Sequence, residues 1–184
     1  MGPWDVGYAL DKHTLRSVPI GENEHGHMQF DTTRTFAGEA LFQLKYRHDW
    51  AQVTPIAAAI AQNIYPLFKS VGFIVPMPPS QYRNRQPVSE IATALGQLVQ
   101  RPVFHNILVK EPTHRALKNL ASKEDRAREL SGKISLNDEI RKEGRWNVLL
   151  VDDRYETGAS LEAACAVLRT YRKVGGIYVA AVTY

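Results

Sequence analysis

Apolar residues fall along this chain in runs of different period. Val148, Leu149, Leu150 and Val151 are consecutive, without the alternation of a half-buried strand, and predict a strand covered on both faces in a parallel sheet. Leu161, Ala164, Leu168 and Tyr171 then recur at three-to-four spacing, which predicts a helix with one buried stripe. Val71 to Val75 predicts a second buried strand, ended by Pro76-Met77-Pro78-Pro79 because proline offers no N–H to a ladder. Helices are expected from Gly38 to Tyr46 and from Ser89 to Val99, the latter burying Ile91, Leu95 and Leu98. Another is expected with Thr54 as cap, Pro55 in the first helical position, and Ile56, Ile60, Ile64 and Leu67 on one face. Val103 to Val109 reads as a strand, and strand, helix, strand repeat from Trp146 to Val182. The order predicts an α/β fold with a doubly wound, mostly parallel sheet.

The first 36 residues are patterned differently. Trp4 to Leu10, Thr14 to Ile20 and Met28 to Thr32 carry β-forming residues, separated by Asp11-Lys12-His13 and by Gly21 to Gly26. They predict an antiparallel hairpin or three-stranded appendage (1–36) ahead of an α/β domain (37–184). His25 and His27 flank Gly26 and could bind a metal only if a third ligand came from elsewhere; the turn context favours an exposed loop.

Composition narrows the class. The 184 residues are 44% apolar and 23% charged, values of a globular chain, and too many apolar residues for disorder. No run approaches the roughly 20 apolar residues of a membrane span, and the N-terminal residues lack a basic region followed by an apolar core, so no secretory signal is expected. Cys165 is the single cysteine; a packed core thiol is expected, with no disulfide within the chain and a cytoplasmic location. The net charge of +4 suits a nucleic-acid protein and an enzyme of an anionic substrate equally.

The turn after Val151 carries the chemistry. Asp152 and Asp153 stand where the buried strand ends, and Thr157, Gly158, Ala159 and Ser160 open the next helix. Backbone N–H groups at a helix start, two hydroxyls and a glycine allowing close approach make a phosphate cradle. Two carboxylates just upstream can accept hydrogen bonds from vicinal hydroxyls or hold Mg2+. Open parallel sheets bind ligands at this edge.

The stretch Val-Leu-Leu-Val-Asp-Asp-Arg-Tyr-Glu-Thr-Gly-Ala-Ser resembles the phosphoribosyl pyrophosphate (PRPP) motif of type I phosphoribosyltransferases. The resemblance implies that Asp152 and Asp153 contact the ribose hydroxyls and the metal. It also implies that Thr157, Gly158, Ala159 and Ser160 wrap the 5-phosphate, with Arg154, Tyr155 and Glu156 among the residues that bind PRPP. Arg154 and Glu156 depart from the commonest form. Glu156 falls where purine-salvage members carry an Asp near the base, which suggests a purine-like acceptor and a catalytic role for Glu156. Leu44-Lys45-Tyr46 and the Pro76-Met77-Pro78 loop, followed by Arg83 and Arg85, are similar to segments of the ComF-like branch. There the loop lies by the pyrophosphate; Asn84, Gln86, Pro87 and Val88 replace that branch's usual Gly-Phe-Asn pattern.

Lys110 to Lys133 is a polar segment with His114, Arg115, Lys118, Lys123, Arg126 and Arg128 among Glu111, Glu124, Asp125 and Glu129. Ser122 with Asp125 is a capping signal, so a mobile loop and a short helix are expected. It resembles the catalytic hood of the same family, with Arg115 on PRPP and Lys118 catalytic; a solvated charged connection is the other reading. The whole is similar to a ComF-like phosphoribosyltransferase with a cysteine-free β appendage in place of the usual N-terminal zinc ribbon. The implied activity is transfer of phosphoribose from PRPP to a nitrogenous base, with Mg2+, in nucleotide metabolism; a homodimer is compatible with it. Some ComF-like proteins are associated with DNA uptake, so a non-catalytic protein that senses PRPP or binds nucleic acid is the alternative. No Gly-x-x-x-x-Gly-Lys-Ser/Thr run is present, which excludes a P-loop hydrolase.

Overall fold

The consecutive apolar run forms the middle of a central strand, paired in parallel on both sides. The computed structural model describes residues 3–80, 83–111 and 132–184. The elements in chain order are β1 (Val6–Asp11), β2 (Thr14–Glu22), β3 (Met28–Arg34), α1 (Phe36–Tyr46), α2 (Val53–Asn63), β4 (Val71–Pro76), α3 (Pro87–Val99), β5 (Leu108–Lys110), β6 (Ile134–Leu136), β7 (Trp146–Arg154), α4 (Ala159–Thr170) and β8 (Val174–Thr183). The main sheet has four strands in the order β1-β8-β7-β4, and every pairing in it is parallel.

Alternate residues of the central strands supply two cores. Leu149, Val151, Ala180 and Val182 pack with Leu41, Leu44, Ile56, Ile60, Ile91 and Leu95 from α1, α2 and α3. Val148, Leu150, Ile177 and Val179 pack on the opposite face with Leu161, Ala164, Cys165 and Leu168 of α4. Covering both faces removes alternation from the strand sequence, and each fully buried Leu or Ile contributes about 1.5–3 kcal/mol. Cys165 is fully buried, and burial pushes its thiol up to about 12. Among the described residues no helix is long and apolar enough to cross a membrane.

Several expectations are corrected. β1 is not part of an antiparallel appendage: it pairs in parallel with β8, Val6 opposite Tyr178 and Asp11 opposite Thr183. Of the three strands expected there, β2 and β3 form the antiparallel hairpin. Val103 to Val109 is not one strand. Val103 makes an isolated parallel bridge to Ile74, whereas Leu108 to Lys110 turns away to pair antiparallel with Ile134 to Leu136. Leu67 and Leu98 are more than half exposed: α2 ends at Asn63, and Leu67 lies in a 3-10 turn, Tyr65–Leu67, beyond its stripe. Thr54 is not a cap; a 3-10 turn at Trp50–Gln52, capped by Asp49, leads into α2, and Pro55 lies in its first turn, where a missing N–H costs nothing. α1 begins earlier than expected because the Thr35 hydroxyl accepts from Gly38 N at 2.9 Å.

Candidate functional site

β7 carries the acid pair to the carboxyl edge of the sheet. The ladder extends further than the apolar run: Asp152 is opposite Ala181, Arg154 is opposite Thr183, and Tyr155 N donates to Thr183 O at 2.8 Å. Asp152 Oδ1 accepts from Asp153 N at 2.8 Å, and Asp153 Oδ2 receives Lys45 Nζ at 2.6 Å. Burial, and after it the Asp153 carboxylate, push Asp152 up to about 7; the Asp153 N–H, Lys45 and Lys110 oppose the shift. A carboxyl in that position gains from any cation brought beside it.

Lys110, at the end of β5, is 4% exposed and donates from Nζ to Ser80 Oγ at 2.8 Å. Burial holds its ammonium below the usual lysine range, and the charge of Asp152 acts against that. On the β4 side, Pro76 and Met77 are buried and Met77 N donates to Val151 O at 2.8 Å, so the proline loop is tied to the residue before the acid pair. The expectation that Pro76 ends the pairing is therefore corrected by one residue.

The turn itself contains Tyr155 and Glu156, both exposed, the partly buried Thr157, and the buried Gly158, with Ala159 and Ser160 opening α4. Gly158 has φ +80°, and a Cβ there would stand 3.0 Å from the Tyr155 hydroxyl. Both the left-handed backbone and the Tyr155 ring require glycine here. Tyr155 is held in turn by the edge of Trp4, ring centres 6.4 Å apart. The first N–H groups of α4 have no intrahelical acceptor and carry the positive end of the helix dipole.

Not every predicted site residue converges. Arg83 and Arg154 are exposed. Arg85 is engaged by Glu90 at 3.0 Å and by the face of Trp50 at 4.2 Å. Arg115 and Lys118 lie, with the rest of the predicted basic arm from 112 to 131, outside the described residues. His25 and His27 sit in the β2–β3 turn, their N–H groups both donating to Asn23 Oδ1, and among the described residues no three His, Cys, Asp or Glu side chains gather as a metal site. Sequence reasoning missed Lys45, Ser80, Lys110 and His13 as site residues. Lys45 stands in the Leu44-Lys45-Tyr46 segment already singled out for its resemblance, and that was the signal available. No family model matches the chain, and no curated protein matches it.

Proposed function

We propose that this protein is a phosphoribosyltransferase of type I, transferring phosphoribose from PRPP to a ring nitrogen of a base with release of pyrophosphate. The observation that carries the reading is a single juxtaposition. Asp152 and Asp153, with Lys45 and Lys110 beside them, stand at the carboxyl edge of a parallel sheet, immediately ahead of a left-handed glycine and the start of α4. This is a place for vicinal hydroxyls next to a phosphate.

In this reading Asp152 and Asp153 accept hydrogen bonds from the ribose hydroxyls, while Thr157, Gly158, Ala159 and Ser160 receive the 5-phosphate. The acid pair is a hard oxygen donor set fit for Mg2+, which commonly takes one or two protein carboxylates and completes its shell with phosphates and water. Bound there, Mg2+ would supply neutralisation of leaving-group charge. Lys110 and Ser80 face the diphosphate, with Arg115 and Lys118 of the basic arm proposed to join them. Glu156, exposed in the turn, is proposed to address the proton-bearing edge of the acceptor. An oxocarbenium-like transition state needs no protein nucleophile, so positioning and charge stabilisation supply the rate.

Calorimetry with PRPP and Mg2+, followed by pyrophosphate release with a panel of bases, tests the reading. Binding that disappears in Asp152→Asn/Asp153→Asn supports it; unchanged affinity in that double variant rejects it. A second reading, a surface for single-stranded nucleic acid, draws on cations lying over aromatic rings. Arg34 lies 3.8 Å from the centre of Phe42, whose ring is 5.3 Å from that of the exposed Tyr46, Arg47 5.8 Å from the Phe42 ring, and Arg85 lies over Trp50. Salt-dependent binding of oligonucleotides without PRPP affinity would favour it.

A further inference from the structure

Past the end of β1 the chain turns through Lys12 and His13 before β2 begins. His13 N donates to Tyr184 O at 2.9 Å, Tyr184 N donates to Asp11 O at 3.0 Å, and the Thr35 hydroxyl donates to Lys12 O at 2.5 Å. A Cβ on Gly38 would collide with the His13 carbonyl oxygen, so the start of α1 is packed directly on this turn. The position of His13 is thus set by β1, β8 and α1 together.

The ring is oriented as well. Its Nδ1 lies 3.3 Å from Thr183 Oγ1, and that fully buried hydroxyl donates to the carbonyl oxygen of Asp153 at 3.4 Å. A hydroxyl has one proton; with that proton on Asp153 O, the Thr183 oxygen meets His13 as an acceptor. Nδ1 then carries the hydrogen and Nε2 keeps a lone pair, for which no partner exists among the described residues. Burial first, then the charges of Arg154 on β7, Arg34 on β3 and Lys45 on α1, hold the imidazole below its ordinary range, with Asp153 opposing.

The two sides of β7 are chemically different. β4, with Met77 tied to Val151 and Ser80 bonded to Lys110, lies on one side; β8 and then β1, with His13, lie on the other. Displacement at the anomeric carbon places the entering and leaving groups on opposite faces. With the ribose over Asp152 and Asp153, the diphosphate takes the Lys110 side and the acceptor takes the His13 side.

We propose that Nε2 of His13 receives the proton of the attacking acceptor nitrogen, an inference that rests on the phosphoribosyl-transfer reading above. The nitrogen–carbon bond forms as the bond from the anomeric carbon to the diphosphate oxygen breaks, and the diphosphate leaves with that electron pair. The N–H proton passes to Nε2, giving an imidazolium that later loses it to water. The negative charge of bound PRPP raises the basicity of His13 and prepares it for the transfer.

Nitrogen-15 NMR of the resting protein should show His13 with hydrogen on Nδ1 and a bare Nε2; the opposite tautomer overturns the proposal. Pyrophosphate release is then followed against pH for the wild type, His13→Gln and Thr183→Val, with adenine, hypoxanthine, uracil and orotate as acceptors and calorimetry of PRPP with Mg2+ alongside. His13→Gln should hold PRPP within about twofold of wild type yet lose on the order of 10²-fold in turnover, together with the acidic limb of the profile. Thr183→Val should keep that limb but displace it. Turnover and limb unchanged in His13→Gln, with PRPP bound, overturn the role of His13 alone, as does the absence of turnover with every acceptor while PRPP binds. A wild type that does not bind PRPP overturns the transfer reading and this inference with it.

Discussion

Lys45 Nζ and Asp153 Oδ2 lie 2.6 Å apart across 108 residues of chain, both side chains more than two-thirds buried. The pair fastens α1 to the carboxyl end of β7, beside an Asp152 carboxyl that burial, and after it the Asp153 charge, push up. Lys45→Met is expected to lower stability by about 1–2 kcal/mol, since the pair is a charge-assisted bond with some solvent screening. Urea titrations of Lys45→Met, Asp153→Asn and the double variant check this: the cycle should return a coupling of about 1 kcal/mol, and none if the pair is incidental.

Asp152 yields a pH dependence whose sign can be worked out. Its folded pKa of about 7 lies above the ordinary aspartate value of 3.8, so between these limits the folded chain holds a proton that the unfolded chain has lost. Stability of the ligand-free protein is therefore full below about pH 4 and falls as pH rises toward 7. Asp152→Asn, which imitates the protonated form, should remove this fall and exceed wild type by about 2 to 4 kcal/mol at pH 8. Chemical denaturation at pH 5 and pH 8 measures it; equal slopes for the two proteins would contradict the shift.

Gly158→Ala places a methyl group on a backbone of φ +80° and 3.0 to 3.3 Å from the Tyr155 ring. A cost of about 1–2 kcal/mol is expected. Tyr155→Ala in the same background should recover only the part owed to the ring, since the backbone strain remains. Thermal unfolding of the two single variants and the double variant separates the contributions, and full recovery would place the whole cost in the contact.

Glu156 is exposed beside the proposed phosphate cradle. Glu156→Gln should lower pyrophosphate release about tenfold or more, the value of a charged hydrogen bond, while PRPP affinity stays the same or rises as a repulsive charge is removed. Weakened PRPP binding with normal turnover would assign Glu156 to the turn's stability instead.

The chain's sequence determined what depends on neighbours in sequence. The run Val148 to Val151, the acid pair, Gly158 in the turn and the start of α4 all follow from residues within one strand and one helical turn, so strand, turn and helix were legible together. The parallel α/β architecture followed from the order of such units. Tertiary structure alone decided the rest, because it depends on which distant segment completes a surface. β-forming residues in β1 cannot state whether they pair with β2 nearby or with β8 more than a hundred residues on; the open edge of the parallel sheet decided it. That choice carried His13 to the same edge as Asp153. Lys45 and Lys110 were equally opaque, since a lysine in a helix or at a strand end reads as solvated until a buried carboxylate arrives from β7 to give it a partner.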